Sequence, residues 1–230
     1  MIRNLKILIA VAMALVAFGA ISVSGAQAAE FHCSVEPCTV TVKPDGTPGL
    51  AGKTAHSVFI VKQGAVSVST TCQQVSGDST SASKTFKTLT LGQLVYSGCD
   101  VAGGASTVKM NGCEYHIVSP GVAPHDATMQ IKCPAGKVIE EEVPATGCLI
   151  TIGSTGILGG GLKFHDAETG GIKKELITAE TTVNGIPVTI VTNTCPGGLV
   201  KGAATGEITT WNFELTGETT SGVMANVWWE

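Results

Sequence analysis

Two His-Asp dipeptides, His125-Asp126 and His165-Asp166, are the residues in this chain best suited to acid–base or metal chemistry. An imidazole beside a carboxylate can ligate a divalent ion or move a proton. If all four side chains converged, they would form the site of a secreted metal-dependent hydrolase. Metal hydrolases built on this dipeptide set it on helices, however, and Asp after His in a β-rich chain commonly begins a turn. The pairs are therefore expected on separate turns. His32, His56 and His116 are single residues without a partner in sequence.

Other candidate chemistry is incomplete. Gly52-Lys53-Thr54 matches the end of a phosphate-binding loop, but that motif needs glycine at position 47, which is Thr47, and a helix afterwards. Gly159-Gly160-Gly161 also lacks a following helix and reads as a loop or bulge. Gly77-Asp78-Ser79 resembles the nucleophile block of GDS-type esterases, yet no histidine here has Asp three positions before it. A Ser/Thr-rich loop is expected there. Asp45, Asp78 and Asp100 stand apart and form no calcium loop. No catalytic set is assembled and no cofactor is implied. Trp211 with Phe213, and Trp228-Trp229 at the C-terminus, are the aromatic groups that a sugar could stack on. Adjacent side chains on a strand face opposite ways, so one of Trp228 and Trp229 is expected in the core and the other outside.

Eight cysteines dominate the remaining chemistry: Cys33, Cys38, Cys72, Cys99, Cys113, Cys133, Cys148 and Cys195. No C-x-x-C occurs, which argues against both a redox motif and a zinc site. An even count reads as a disulfide framework in an exported chain. Strand parity agrees. Cys38 shares a face with Val40 and Val42, Cys72 with Val68 and Thr70, Cys113 with Tyr115 and Ile117, Cys133 with Met129 and Ile131, and Cys148 with Ile150 and Ile152. Eight cysteines allow on the order of a hundred pairings. Proximity along the chain favours Cys33–Cys38, Cys99–Cys113 and Cys133–Cys148, which leaves Cys72–Cys195.

The oxidising compartment is written at the N-terminus. Arg3 and Lys6 precede an uncharged run over Ile7–Ala20, and Ala26-Gln27-Ala28 supplies small residues for cleavage. That order reads as a signal peptide over residues 1–28. Removing it leaves about 200 residues, enough for one large β domain or two small ones. No later apolar stretch has the ~20 residues of a membrane helix.

Composition limits the partners. The 230-residue chain has 14 Lys+Arg against 18 Asp+Glu, a net charge of −4, so no basic surface exists to neutralise nucleic-acid phosphates. Hydrophobic residues at 43% exclude a disordered polar chain. The partner stays open, with a cell-surface component or a glycan as candidates.

Short Val/Ile/Thr-rich runs recur at Cys38–Val42, His56–Val61, Ala65–Thr71, Thr85–Tyr96, Ser106–Met110, Glu114–Val118, Ala127–Lys132, Lys137–Val143, Cys148–Ile152, Ile172–Thr178, Ile186–Thr194 and Glu207–Leu215. Turn residues separate them, including Ser97-Gly98, Pro134-Ala135-Gly136 and Pro196-Gly197-Gly198. Asn111-Gly112 and Asn184-Gly185 are hairpin signals. The expected fold is all-β: a disulfide-stapled antiparallel sandwich or barrel-like arrangement. A tandem of two related β units, 29–122 and 123–230, is the alternative arrangement the chain offers. The order strand, glycines, strand ending in Cys, Thr-rich strand occurs once from Cys38 and again from Cys148.

Four blocks resemble a family of uncharacterised exported cysteine-rich β proteins of actinobacteria. They are Phe31-His32-Cys33; Thr88-Leu89-Thr90-Leu91 leading to Tyr96-Ser97-Gly98-Cys99; Lys109-Met110-Asn111-Gly112-Cys113-Glu114-Tyr115; and Lys132-Cys133-Pro134-Ala135-Gly136-Lys137. The resemblance implies export and a disulfide-stapled β fold, and carries no activity and no functional residue. The function expected from all this is an exported non-enzymatic β protein, a cell-envelope or extracellular binding or structural module. The alternatives are the metal-dependent hydrolase above and a lectin-like carbohydrate-binding module.

Overall fold

The computed structural model describes residues 30–43, 57–81, 83–118, 126–169, 171–179, 182–211 and 213–229. Gly52-Lys53-Thr54, His56, His125 and the segment 1–28 lie outside the described residues. The strands are β1 (Phe31–Cys33), β2 (Cys38–Lys43), β3 (Ser57–Gln63), β4 (Val66–Ser81), β5 (Thr85–Phe86), β6 (Thr88–Val101), β7 (Gly104–Lys109), β8 (Glu114–Val118), β9 (Asp126–Lys132) and β10 (Ile139–Val143). They continue as β11 (Cys148–Ile152), β12 (Leu158–Thr169), β13 (Ile172–Ala179), β14 (Val183–Ile190), β15 (Gly202–Trp211), β16 (Phe213–Glu218), β17 (Met224–Ala225) and β18 (Val227–Trp229).

The fold is all-β and antiparallel, and its ladders close on themselves. A first ring runs β4-β6-β7-β10-β11-β14-β15-β3 and returns to β4. A second runs β4-β6-β8-β9-β12-β13-β16-β2 and also returns to β4. Each is an eight-stranded barrel, and the two share β4 and β6. Closure removes the sheet edges that would otherwise invite aggregation. Each ring takes four strands from residues 29–122 and four from 123–230. The neighbour order β2-β4-β6 is matched by β11-β14-β15, the same strands in which the sequence echo lies.

The shared strands are long because they serve both rings. β4 pairs with β3 through Val66–Cys72 and with β2 through Gly77–Ser81. β6 pairs with β8 through Thr88–Leu91 and with β7 through Cys99–Val101. Between these halves Gln93, at φ 53°, takes up an extra residue against β4 and bends the pair from one ring into the other. Gly77 is required here by close approach: a Cβ would lie 2.6 Å from Leu94 Cδ2, and Leu94 is buried. Gly77-Asp78-Ser79 is thus strand rather than loop, and Ser97-Gly98 continues β6 rather than turning.

Several turn signals are absorbed into strands in this way. Asn111 and Gly112, at φ 51° and 82°, do form a tight turn, closed by the Cys113 amide donating to the Met110 carbonyl at 2.8 Å. The strands it joins, β7 and β8, do not pair with each other; they lie end to end along β6, one in each ring. Asn184-Gly185 is a bulge within β14, where these two residues face one of β15. β12 was missed in sequence because Gly159–Gly161 and His165-Asp166 read as breaks. The glycines sit at a register shift between Leu158 and Leu162, in keeping with the bulge reading, and pairing with β9 and β13 on either side imposes the extended chain.

Four disulfides pair all eight cysteines: Cys33–Cys38, Cys72–Cys99, Cys113–Cys133 and Cys148–Cys195. Of the expected pairs only Cys33–Cys38 forms; Cys99–Cys113, Cys133–Cys148 and Cys72–Cys195 do not. Register overrides proximity. Cys72 and Cys99 are directly opposite on β4 and β6. Cys113 and Cys133 lie one step beyond the Glu114–Lys132 pair of β8 and β9. Cys148 starts β11, and Cys195 follows the end of its neighbour β14.

A separate sheet of order β18-β1-β5 packs on the second ring. Phe31 of β1 lies 5.3 Å from Phe86, 4.9 Å from Phe164 and 4.3 Å from Trp229 between ring centroids. Trp229 is buried, while Trp228 turns outward and stacks on His32 at 5.3 Å, as strand alternation requires. Among the described residues no helix is long and apolar enough to cross a membrane.

Candidate functional site

The site is a cavity of about 50 Å³ inside the first ring, partly open to solvent. Strand alternation builds it. On β10, Ile139, Glu141 and Val143 point inward with exposures of 2%, 5% and 1%, while Glu140 and Glu142 face outward. Lys109 Nζ meets Glu142 Oε2 at 3.3 Å on that outer face. A carboxyl therefore occupies an interior position between two aliphatic ones, where an uncompensated charge is costly.

The structure satisfies this carboxyl with hydroxyls. Ser106 Oγ on β7 donates to Glu141 Oε1 at 3.2 Å, and Thr70 on β4 provides a second hydrogen bond. Burial pushes the Glu141 carboxyl above its ordinary range, and the bonds from Thr70 and Ser106 partly oppose that. Thr70 and Ser106 are themselves buried polar residues, at 4% and 8% exposure.

Apolar groups form the rest of the lining, chiefly Ile139, Ile152, Ile186, Ile208 and Phe59, with the hydroxyls of Ser57 and Thr70. Where the two rings meet, Tyr96 and Tyr115 close the floor. Tyr96 Oη donates to Tyr115 Oη at 3.2 Å, and the Tyr115 ring lies 5.0 Å from that of Trp211. Burial raises both phenols, Tyr96 the more because it also faces Tyr115, so both are neutral at ordinary pH.

The described members of the His-Asp pairs lie on two paired strands, β9 and β12. Asp126 begins β9 opposite Lys163 of β12. His165 lies in the middle of β12 opposite Leu176, and Asp166 opposite Glu175. The expectation that each pair begins a turn is overturned for His165-Asp166, which is strand throughout. Among the described residues no group of three or more His, Cys, Asp or Glu side chains is placed to hold a metal. Sequence reading missed Glu141 because Glu140-Glu141-Glu142 reads as a solvated charge run. The signal was the alternation: an acid between Ile139 and Val143 on a strand must share their face.

Fold and site define a class: a disulfide-stapled protein of two fused eight-stranded β rings, one holding a buried carboxyl beside a cavity. No protein-family model, no curated protein and no solved structure matches the chain.

Proposed function

We propose that the chain is an exported, non-enzymatic binding module whose site is the interior of the first ring. The observation that carries this reading is Glu141, a carboxyl held inside a cavity walled mainly by isoleucines, with the hydroxyls of Ser57 and Thr70 beside it. A barrel that served only as scaffold gains nothing from such a group, since a hydrophobic side chain there would avoid the desolvation penalty. A buried acid at a cavity is the usual mark of a binding or catalytic site. The binding reading is preferred because the neighbours of the carboxyl are hydroxyls and neutral phenols, with no imidazole or amine in the lining to complete an acid–base pair. Export rests on the N-terminal pattern and on the fully paired cysteines.

A cavity of this size admits a few waters or one small molecule and falls well below the ~300–1,000 Å³ of drug-sized pockets. Sugars and lipids are too large for it. Screening small polar and apolar fragments by ¹H–¹⁵N correlation spectra tests the assignment. Binders should shift the amides of Glu141, Val108 and Ile152 and leave those of Leu162 and Phe164 in the second ring in place. A screen in which no fragment moves the first-ring amides overturns the reading.

A further inference from the structure

We infer that the first ring takes a small organic ammonium ion, a short alkylamine in its protonated form, with Glu141 as its counter-ion. This rests on the cavity being the binding site and adds the class of ligand. Glu141 is the charged residue of the lining, and no Lys, Arg or His lines the cavity. An anion would meet a buried carboxylate with no cation beside it, whereas a cation completes the pair.

The hydrogen bonds point the same way. Ser106 donates its proton to the carboxyl and Thr70 adds a second hydroxyl contact, which orients the group as an acceptor. A primary ammonium carries three donors and no acceptor. It can reach the carboxylate together with the hydroxyl oxygens of Thr70 and Ser57, both in the lining. Tyr96 and Tyr115 present aromatic surface to the same space, and ring faces attract cations. The isoleucines leave an apolar path for the alkyl stem, and the volume limits that stem to a few carbons.

Binding should depend on pH through Glu141. The other titratable groups facing the cavity are Tyr96 from β6 and Tyr115 from β8, both raised further from neutrality by burial. On the adjoining strands the charged groups lie on the outer face: Lys109 with Glu142 across β7 and β10, and Lys62 with Glu207 across β3 and β15. Ammonium affinity should therefore rise with pH as Glu141 ionises.

Titration calorimetry at neutral pH with propylammonium chloride, 1-propanol and potassium chloride, each followed by ¹H–¹⁵N spectra, tests the inference. Propylammonium should bind at the first-ring amides at least about tenfold more tightly than 1-propanol, the scale of a hydrogen bond to a charged group. Glu141→Gln should abolish that preference while keeping the propanol affinity. Thr70→Val, a near-isostere, should weaken propylammonium more than propanol and serves if the first variant fails to fold. Equal binding of propanol and propylammonium sinks the ammonium assignment but leaves the cavity as a binding site. The same shifts from potassium alone reassign it to an inorganic cation. If none of the probes enters, both this inference and the binding-module reading fall.

Discussion

Eight strands close each ring and two of those strands are common to both, yet the interiors are filled in different ways. The second ring holds Leu89, Leu91, Ile117, Met129, Leu162 and Phe164, all at 1% exposure or less, and is covered by the sheet that carries Phe31 and Trp229. Its aromatic rings pack edge to face and stacked at 4.3–5.3 Å. Aromatic side chains bury about 150–250 Å² each, so a few of them fill the space that a closed barrel encloses. The first ring is filled differently. Its strands contribute Phe59, Tyr96 and the fully buried Trp211, together with isoleucine, valine, Ser57, Thr70, Ser106 and Glu141. Between these side chains a cavity of about 50 Å³ stays unfilled beside Glu141. The same architecture is closed by aromatic packing in one ring and encloses a cavity in the other.

Full reduction should erase the difference altogether, and it carries the largest expected effect. Each bridge contributes about 2–5 kcal/mol, against a total stability of ~5–15 kcal/mol for a typical domain. Cys72–Cys99 clamps the strands common to both rings. The reduced protein is expected to lose its β spectrum in far-UV circular dichroism at moderate temperature, while the oxidised form resists heating. A reduced form that melts within a few degrees of the oxidised one would show that the packed interiors suffice without staples.

Truncation on either side tests the contrast directly. Phe164→Ala removes a fully buried ring packed between Phe31 and Trp229, and should lower stability in urea by about 3–5 kcal/mol. Ile152→Ala, on the cavity wall, should cost nearer ~2 kcal/mol, because atoms facing a void have fewer contacts to lose. Equal losses would mean that the first ring is as tightly packed as the second.

The smallest effect is the most diagnostic of the first ring. Glu141 holds its proton more strongly when folded than when unfolded. The folded state therefore binds more protons, and stability must fall as pH climbs from the ordinary value near 4.5 to the raised one, then level off. Glu141→Gln has no such proton. Its stability relative to the parent should grow across that window, read from urea melts at stepped pH. An unchanged slope in the variant would place the titration on another group.

Much of this was legible in the chain. The period-two alternation that put Cys38, Cys113 and Cys148 on apolar faces holds in their strands, and β13, read as strand despite its Lys173-Lys174-Glu175 run, is strand. The same rule separated Trp228 from Trp229. It applied equally to Glu141, where a run of like charges concealed it. Turn chemistry was less dependable. Pro134-Ala135-Gly136 does turn, with the Lys137 amide bonded to the Pro134 carbonyl at 2.9 Å, but Asn184-Gly185, Ser97-Gly98 and His165-Asp166 lie within strands.

By itself the sequence determined the all-β class, the even set of paired cysteines and which side chains share a face, because these follow from composition and from neighbours one or two residues apart. Only the tertiary structure decided which strands are neighbours. That placed Cys72 against Cys99 across 27 residues and Cys148 against Cys195 across 47. It also split β4 and β6 between two rings and gathered Thr70, Ser106 and Glu141 around one cavity. Ladder pairing joins residues by register across the sheet, and register depends on how every other strand closes the ring, which no local spacing records.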